Sequence, residues 1–146
     1  MSVIRQATTE DVARIAEIEI FNYRLYFYPI FRNDDFYFGE LQVPFLMQNY
    51  ASRIDSFWVY DDGTVKGFMQ LRGNELKKLF VEPVLQGQSI GSKLLTHALA
   101  QHNVSQLWAL EKNTRAIAFY ERHGFRLTDE KKLEEDTTEY LVRLER

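Results

Sequence analysis

Residues 86–95 read QGQSIGSKLL. Gly87, Ser89 and Gly91 stand just before an apolar, helix-prone run. Glycine costs a helix about 1 kcal/mol relative to alanine, so a chain places it there where bare backbone is needed. The segment before the turn, ELKKLFV (75–81), reads as a strand stopped by Glu82-Pro83. After it, Ile90 to Gln101 carries Ile90, Leu94, Leu95, Ala98 and Leu99 on one helical face. A strand, a glycine-rich turn and a helix together make an anion trap. The first amides of a helix lack internal partners, and the helix dipole adds partial positive charge there. Small residues let a phosphate approach those amides closely. The alternative is a loop closed tightly for packing. The lysine-containing nucleotide P-loop pattern is absent, and the turn does not follow the first strand as in a dinucleotide fold.

Working outward, SVIRQA (2–7) alternates as a short strand. Thr8 with Asp11 three residues on is an acidic variant of the capping box, and it predicts a helix from about residue 9 to the early twenties. The aromatic stretch FNYRLYFYPIF (21–31) is broken by Pro29. Phe36 to Tyr50 is weakly helical. SFWVY (56–60) is a strand, DDG (61–63) a hairpin turn and TVKGFMQLRG (64–73) the return strand. QLWAL (106–110) is a buried strand that follows a helix stop at Asn103. TRAIAFYERH (114–123) is a helix closed by Gly124 in the left-handed cap position. FRLTDEKKL (125–133) and TTEYLVRL (137–144) are two last strands around the acidic turn Glu134 to Asp136. The order β-α-α-β-β-β-α-β-α-β-β predicts a mixed α/β fold around one sheet. With neither linker nor repeat, residues 1–146 are expected to form one domain.

Composition narrows the chemistry. The chain has no cysteine, which removes disulfides, thiolate catalysis and zinc–thiolate sites. Its three histidines, His97, His102 and His123, lack ligand spacing, so no metal is expected. A net charge of −3 without a basic stripe argues against nucleic acid. No apolar run approaches the length of a membrane span. The beginning, MSVIRQATTEDVARI, turns charged too early for a signal peptide, and a cytoplasmic protein is expected.

A second segment, LEKNTRAIAFYERHGF (110–125), sharpens the reading. Together the two segments resemble the GNAT family, the GCN5-related N-acetyltransferases. That family's phosphate turn reads Gln/Arg-x-x-Gly-x-Gly/Ala, and here it is Gln86-Gly87-Gln88-Ser89-Ile90-Gly91. The family's second motif, Asn-x-x-Ala-x-x-x-Tyr followed by Gly-Phe, is met by Asn113, Ala116, Tyr120, Gly124 and Phe125. The resemblance covers the whole order of elements, and its motifs cover Glu75 to Phe125. One departure is Ser89 in place of the first motif glycine. The reading favoured is an ordinary helical N-terminus at this position, where serine fits.

The resemblance implies acetyl-CoA as cofactor. Its pyrophosphate would lie on the amides of Gln86, Gly87, Gln88, Ser89, Ile90, Gly91 and Ser92. Its pantetheine arm would pair with the backbone of Leu79, Phe80 and Val81, where the two neighbouring strands splay apart in this family, and Asn113 would steady it. Tyr120 would be the general acid for the leaving thiolate, the alternative being a ring that packs on the sheet. Glu75 is the first candidate for the base that deprotonates the amine, against a solvated strand-edge carboxylate. Glu111 is the second, and a water relay is a third route. Without a cysteine, direct attack by the amine in a ternary complex is the simpler path.

On the acceptor side, the cluster Phe21, Tyr23, Tyr26, Phe27, Tyr28 and Phe31 offers an apolar wall for an amine; most of these rings individually read as core or as the surface of a homodimer. Lys77 and Lys78 interrupt an apolar strand, on a solvent-facing side or steering phosphates. Glu134, Glu135 and Asp136 read as a solvated turn or as a lure for a cationic amine. The expected function is transfer of acetyl from acetyl-CoA to a primary amine of a small molecule, peptide or protein, with no nucleic-acid or membrane partner. A non-catalytic acyl-CoA-binding module or sensor is the rival reading, and a cofactor-free structural protein is a third.

Overall fold

The computed structural model describes residues 3–146. In chain order its elements are β1 (Ile4–Gln6), α1 (Val12–Asn22), α2 (Tyr28–Phe31), α3 (Val43–Tyr50), β2 (Phe57–Asp61), β3 (Val65–Arg72), β4 (Glu75–Val81), α4 (Ile90–His102), β5 (Gln106–Leu110), α5 (Thr114–Arg122), β6 (Arg126–Leu133) and β7 (Tyr140–Glu145). This is the mixed α/β order read from the sequence, with α2 as an added turn. Ser2, the first residue of the expected opening strand, lies outside the described residues.

The strands form one seven-stranded sheet ordered β1-β2-β3-β4-β5-β7-β6. All neighbours are antiparallel except β4 and β5. That parallel pair is in register only at Glu75–Gln106 and Leu76–Leu107. Beyond Leu76 the two strands part, so the edge of β4 from Lys77 to Val81 has no partner strand on the β5 side. A register shift opposite Gln70/Leu71 leaves Lys77 as an extra residue in β4 and adds a local bend at the gap.

The core lies on both faces of the sheet. On one face Val12, Ile15 and Ile18 of α1 and Leu46 of α3 pack over Phe57, Val59 and Phe68. On the other, Ile90, Leu94, Leu95 and Ala98 of α4 cover Met69, Leu76, Leu107 and Leu144. Four of the five face residues read from the periodicity are therefore core, and Leu99 packs against them partly buried. Gly67 permits this closeness. A Cβ there would stand 3.1 Å from the Phe80 carbonyl oxygen and 3.2 Å from Leu94 Cδ1, so any side chain would push α4 off the sheet.

The N-terminal helix begins one turn later than its cap suggested. Thr8 N–H donates to Asp11 Oδ2 at 2.8 Å, Thr9–Asp11 forms a 3-10 turn, and α1 starts at Val12. Arg5 grips both Asp11 and Asp61, at 2.8 and 2.9 Å, which ties β1 to the helix start and to the end of β2.

Pro29 does not break the aromatic stretch. After α1 the helix widens into a π turn over Tyr23–Phe27, with Tyr28 N–H donating to the Tyr23 carbonyl. Pro29 then falls in the first turn of α2, where a missing N–H costs little. The helical path ends at Arg32, whose φ is +52°. The weakly helical segment from Phe36 to Tyr50 is divided by extended Gln42 into a second π turn, Asp35–Glu40, and α3. Asn103 (φ +53°) and Gly124 (φ +92°) take the left-handed conformation after α4 and α5, as read.

Candidate active site

The site is built where the β4–β5 gap meets the turn before α4. Gly87 has φ +88° and Ser89 φ +67°. The backbone thus alternates in hand across Gly87, Gln88 and Ser89, the pattern from which anion-binding amide nests are made. Ser89 corrects the sequence reading: it is not an ordinary helical N-terminus. It is the left-handed residue before Ile90, and its hydroxyl makes no capping bond. A non-glycine residue there carries about 1–2 kcal/mol of strain. Gly91, by contrast, is plainly helical. A Cβ on it would meet Phe119 Cζ at 3.6 Å and Val81 Cγ2 at 3.7 Å, ordinary contact distances. Its bareness leaves room above the helix end and does not serve the turn.

The Gln86 side chain anchors this turn. Its Oε1 accepts from the Tyr26 hydroxyl at 2.8 Å and from Arg115 Nη2. Its Nε2 donates to Asn22 Oδ1 at 3.1 Å. Buried Asn22 in turn donates to the carbonyls of Ile18 and Val81, at 2.8 and 2.9 Å. The turn is thereby tied to the end of α1 and the end of β4. The sequence left Asn22 and Arg115 unassigned and placed Tyr26 on the acceptor side. Tyr26 and Arg115 lie 60 and 29 residues from Gln86, and no periodic signal relates positions so far apart.

Two cavities open on the gap. The first, of about 400 Å³, is lined by every residue assigned to the cofactor from the sequence except Gln88. Its charged lining residues are Arg115 and Arg122, with no carboxylate, a chemistry that fits a phosphate-bearing ligand. The second, of about 550 Å³, is lined among others by Glu75, Lys78, Trp108, Glu134 and Glu135. Both linings contain Phe27, Leu79, Phe80, Asn113, Ala116 and Tyr120, so the cavities meet at the splayed strands.

Tyr120 sits at that junction, edge-on to Phe119 and Phe125 with ring centroids 5.2 and 5.9 Å apart. Burial pushes its hydroxyl well above the usual tyrosine range, so it stays protonated. Asn113 caps α5, its Oδ1 accepting from Ala116 N–H at 3.3 Å. Glu75 opens β4 and faces the second cavity. Glu111 lines neither cavity and pairs instead with Lys131 at 2.6 Å. Glu82 is bound by Arg14 at 2.8 Å.

Lys78 is the clearest departure from the sequence reading. It turns inward, donating to Glu19 Oε1 at 2.6 Å and to the Tyr50 hydroxyl. Glu19 is fully buried, and its other oxygen accepts from Tyr50 at 2.7 Å. Burial and the Glu19 carboxylate push the Tyr50 hydroxyl well above its ordinary range. The available signals were Glu19 inside the apolar run Ile18-Glu19-Ile20 and Lys78 two residues before Phe80 on the same strand face. Of the aromatic cluster, Tyr23 and Phe27 stack at 4.7 Å and both meet Phe80, which places them on the cavity wall. Phe21 is exposed. Glu134 and Glu135 lie at the second cavity, so the acidic turn is more than a remote solvated loop.

Among the described residues, no group of three or more His, Asp or Glu side chains is placed to hold a metal ion. No helix among them is long and apolar enough to cross a membrane.

Comparison with known proteins follows this geometry. The family model described as an acetyltransferase (GNAT) domain matches residues 53–127. A peptidyl-lysine N-acetyltransferase of Salmonella typhimurium, YjaB, is 39% identical over 70 residues, 48% of each chain. The Escherichia coli peptidyl-lysine N-acetyltransferase YiaC is 30% identical over 89 residues, 60% of each. The chain therefore spans about half the length of the curated relatives it matches. Among solved structures, the PaiA N-acetyltransferase of Thermoplasma acidophilum, in complex with coenzyme A, superposes with a TM-score of 0.75 over 98% of both chains at 19% identity. That last likeness is one of fold.

Proposed function

The chain belongs to the acetyltransferase (GNAT) domain family, and from that membership we propose that it transfers acetyl from acetyl-CoA to a primary amine, with a peptidyl lysine as the favoured acceptor. The observation that carries this reading is the meeting of the two cavities at the β4–β5 gap with Tyr120 in both linings. One cavity has the chemistry for a phosphate-bearing donor, and the other is open to an acceptor. The relatives that acetylate peptidyl lysine support the choice of acceptor.

When bound, acetyl-CoA supplies an activated thioester. The residues of this chain do the rest. The turn from Gln86 to Ser92 presents helix-end amides to the pyrophosphate. The unpaired edge of β4 at Leu79, Phe80 and Val81 offers backbone donors and acceptors to the pantetheine arm, as an added strand would. Asn113 keeps one side-chain amide edge for the same arm while its oxygen caps α5. Tyr120, held protonated, donates its proton toward the leaving sulfur. Glu75, from the acceptor cavity, takes a proton from the incoming ammonium, directly or through water. Glu134 and Glu135 line the same cavity with Glu75, and Lys77, Lys78 and Lys132 balance them, so the lining as a whole carries no acidic excess. With no cysteine in the chain, the amine attacks directly with both substrates bound.

Calorimetry with acetyl-CoA is the first test. The expected result is binding in the micromolar range, about −8 kcal/mol, and an absence of binding would end this reading. Release of free thiol on adding lysine peptides then separates an enzyme from a non-catalytic acyl-CoA-binding module. Gly91→Glu fills the cavity floor beside Phe119 and Val81. It is expected to abolish acetyl-CoA binding while leaving the circular dichroism spectrum and melting temperature near wild type. Normal affinity in that variant would move the phosphate site away from the turn.

A further inference from the structure

We propose that Arg115 binds the pyrophosphate of the cofactor, extending the cradle from the turn before α4 to the first turn of α5. The inference rests on the acetyl-CoA reading above and adds a residue at a variable position of the second motif, between Asn113 and Ala116, to which the motif assigns no role.

Arg115 follows Thr114 at the start of α5. A cation in the first turn of a helix opposes the helix dipole, so local helix energetics do not account for it. Its side chain leaves α5 and reaches the turn, where Nη2 donates to Gln86 Oε1. On the way the guanidinium lies over the Tyr26 ring, 4.8 Å from the centroid. Tyr26 donates to the same Gln86 oxygen. Stacking and hydrogen bond together fix the plane of the fork beside the amides of the turn. A guanidinium has five N–H donors, and Gln86 takes one.

The charge balance points the same way. Arg115 and Arg122 are the charged residues of this cavity's lining, and no carboxylate joins them. Among the described residues neither forms an ion pair. Arg5, Arg14, Arg126 and Arg143 are paired with carboxylates, whereas Arg24, Arg32, Arg53, Arg72 and Arg146 join none of these pairs, so what distinguishes Arg115 is its place in a carboxylate-free lining beside the turn. An uncompensated arginine, oriented by stacking and facing a cradle of amides, is complementary to a pyrophosphate oxygen pair, which the planar fork can take in two parallel bonds. The competing account is that Arg115 braces Gln86 and touches no ligand.

The test is a nuclear magnetic resonance titration of wild type, Arg115→Gln and Arg115→Lys with CoA and, separately, with pantetheine, which lacks the pyrophosphate. Arg115→Gln is expected to weaken CoA about ten- to hundredfold and to leave pantetheine binding unchanged. Arg115→Lys is expected to recover only part of the loss, because an ammonium cannot form the fork. The dependence of CoA affinity on salt should also become shallower in Arg115→Gln. Weaker CoA binding in Arg115→Gln with an unchanged salt dependence, whatever happens to pantetheine, would make Arg115 a brace of the turn and overturn the proposal, as would unchanged CoA affinity. Failure of the wild type to bind CoA at all would instead remove the acetyl-CoA reading and this inference with it.

Discussion

At the scale of single residues, Ser89 carries backbone strain at the turn and Tyr120 a buried hydroxyl at the junction of the two cavities. Ser89 holds φ +67° without using its hydroxyl to cap α4. Glycine would relieve about 1–2 kcal/mol of strain and lose about 0.4–1 kcal/mol through a freer unfolded chain. Ser89→Gly is therefore expected to stabilise the protein by about 0.5–1 kcal/mol, raising the melting temperature by about 1–4 °C. CoA affinity should stay within about twofold, since the turn amides keep their directions. A lower melting temperature would show that the serine hydroxyl contributes more than its backbone costs. Tyr120 is held protonated by burial. Tyr120→Phe keeps the ring among Phe119 and Phe125 and removes only the hydroxyl, the proton donor of the proposed mechanism. Turnover is expected to fall about ten- to a thousandfold with acetyl-CoA affinity unchanged. Unaltered turnover would take Tyr120 out of the mechanism.

At the scale of elements, the packing of α4 on β2 carries a pH dependence. His97 and His102 of α4 lie against Trp58 of β2, with ring centroids 5.7 and 4.6 Å away. The Nε2 atoms of both histidines are buried without a protein partner. Burial, and secondarily the nearby His102, lowers the pKa of His97. A lowered folded-state pKa means that the fold favours the neutral ring. Its contribution to stability is complete above the unfolded value near 6.5 and is lost as pH falls below it towards the folded value. The melting temperature should be flat from pH 8.5 to 7.5 and drop by pH 5.5, with a smaller drop in His97→Leu. The same drop in that variant would assign the titration to another group.

For the molecule as a whole, the Lys78–Glu19–Tyr50 cluster joins β4 to α1 and α3 beneath the second cavity. Glu19 is fully buried, while the Lys78 side chain keeps 23% exposure. Removing one partner strands a charge. Glu19→Ala is expected to cost about 2–3 kcal/mol in chemical denaturation, somewhat below the range for fully buried pairs because Lys78 reaches water. The double variant Glu19→Leu with Lys78→Met should recover most of that loss. A Glu19→Ala loss within experimental error of zero would show that solvent replaces the pair. The cluster also fixes the wall of the second cavity, since the Lys78 ammonium lies 5.7 Å from the centroid of the Tyr23 ring.

The chain's local chemistry determined the alternating strands, the Asp61–Gly63 turn, the left-handed stops at Asn103 and Gly124, and the glycine turn that opens α4. Each is encoded within a few residues, by periodicity, capping or the freedom of a missing Cβ, so each is legible without the fold. The residues assigned to the cofactor could likewise be named from the sequence, and all but Gln88 line the first cavity. Only the tertiary structure decided the hand of Ser89, the continuation of the helical path through Pro29, the inward turn of Lys78 and the union of Tyr26, Arg115 and Asn22 around Gln86. These depend on which side chains meet across spans of 29 to 64 residues or on backbone strain that surrounding packing sustains. Such terms belong to the assembled core, and no local window of the chain contains them.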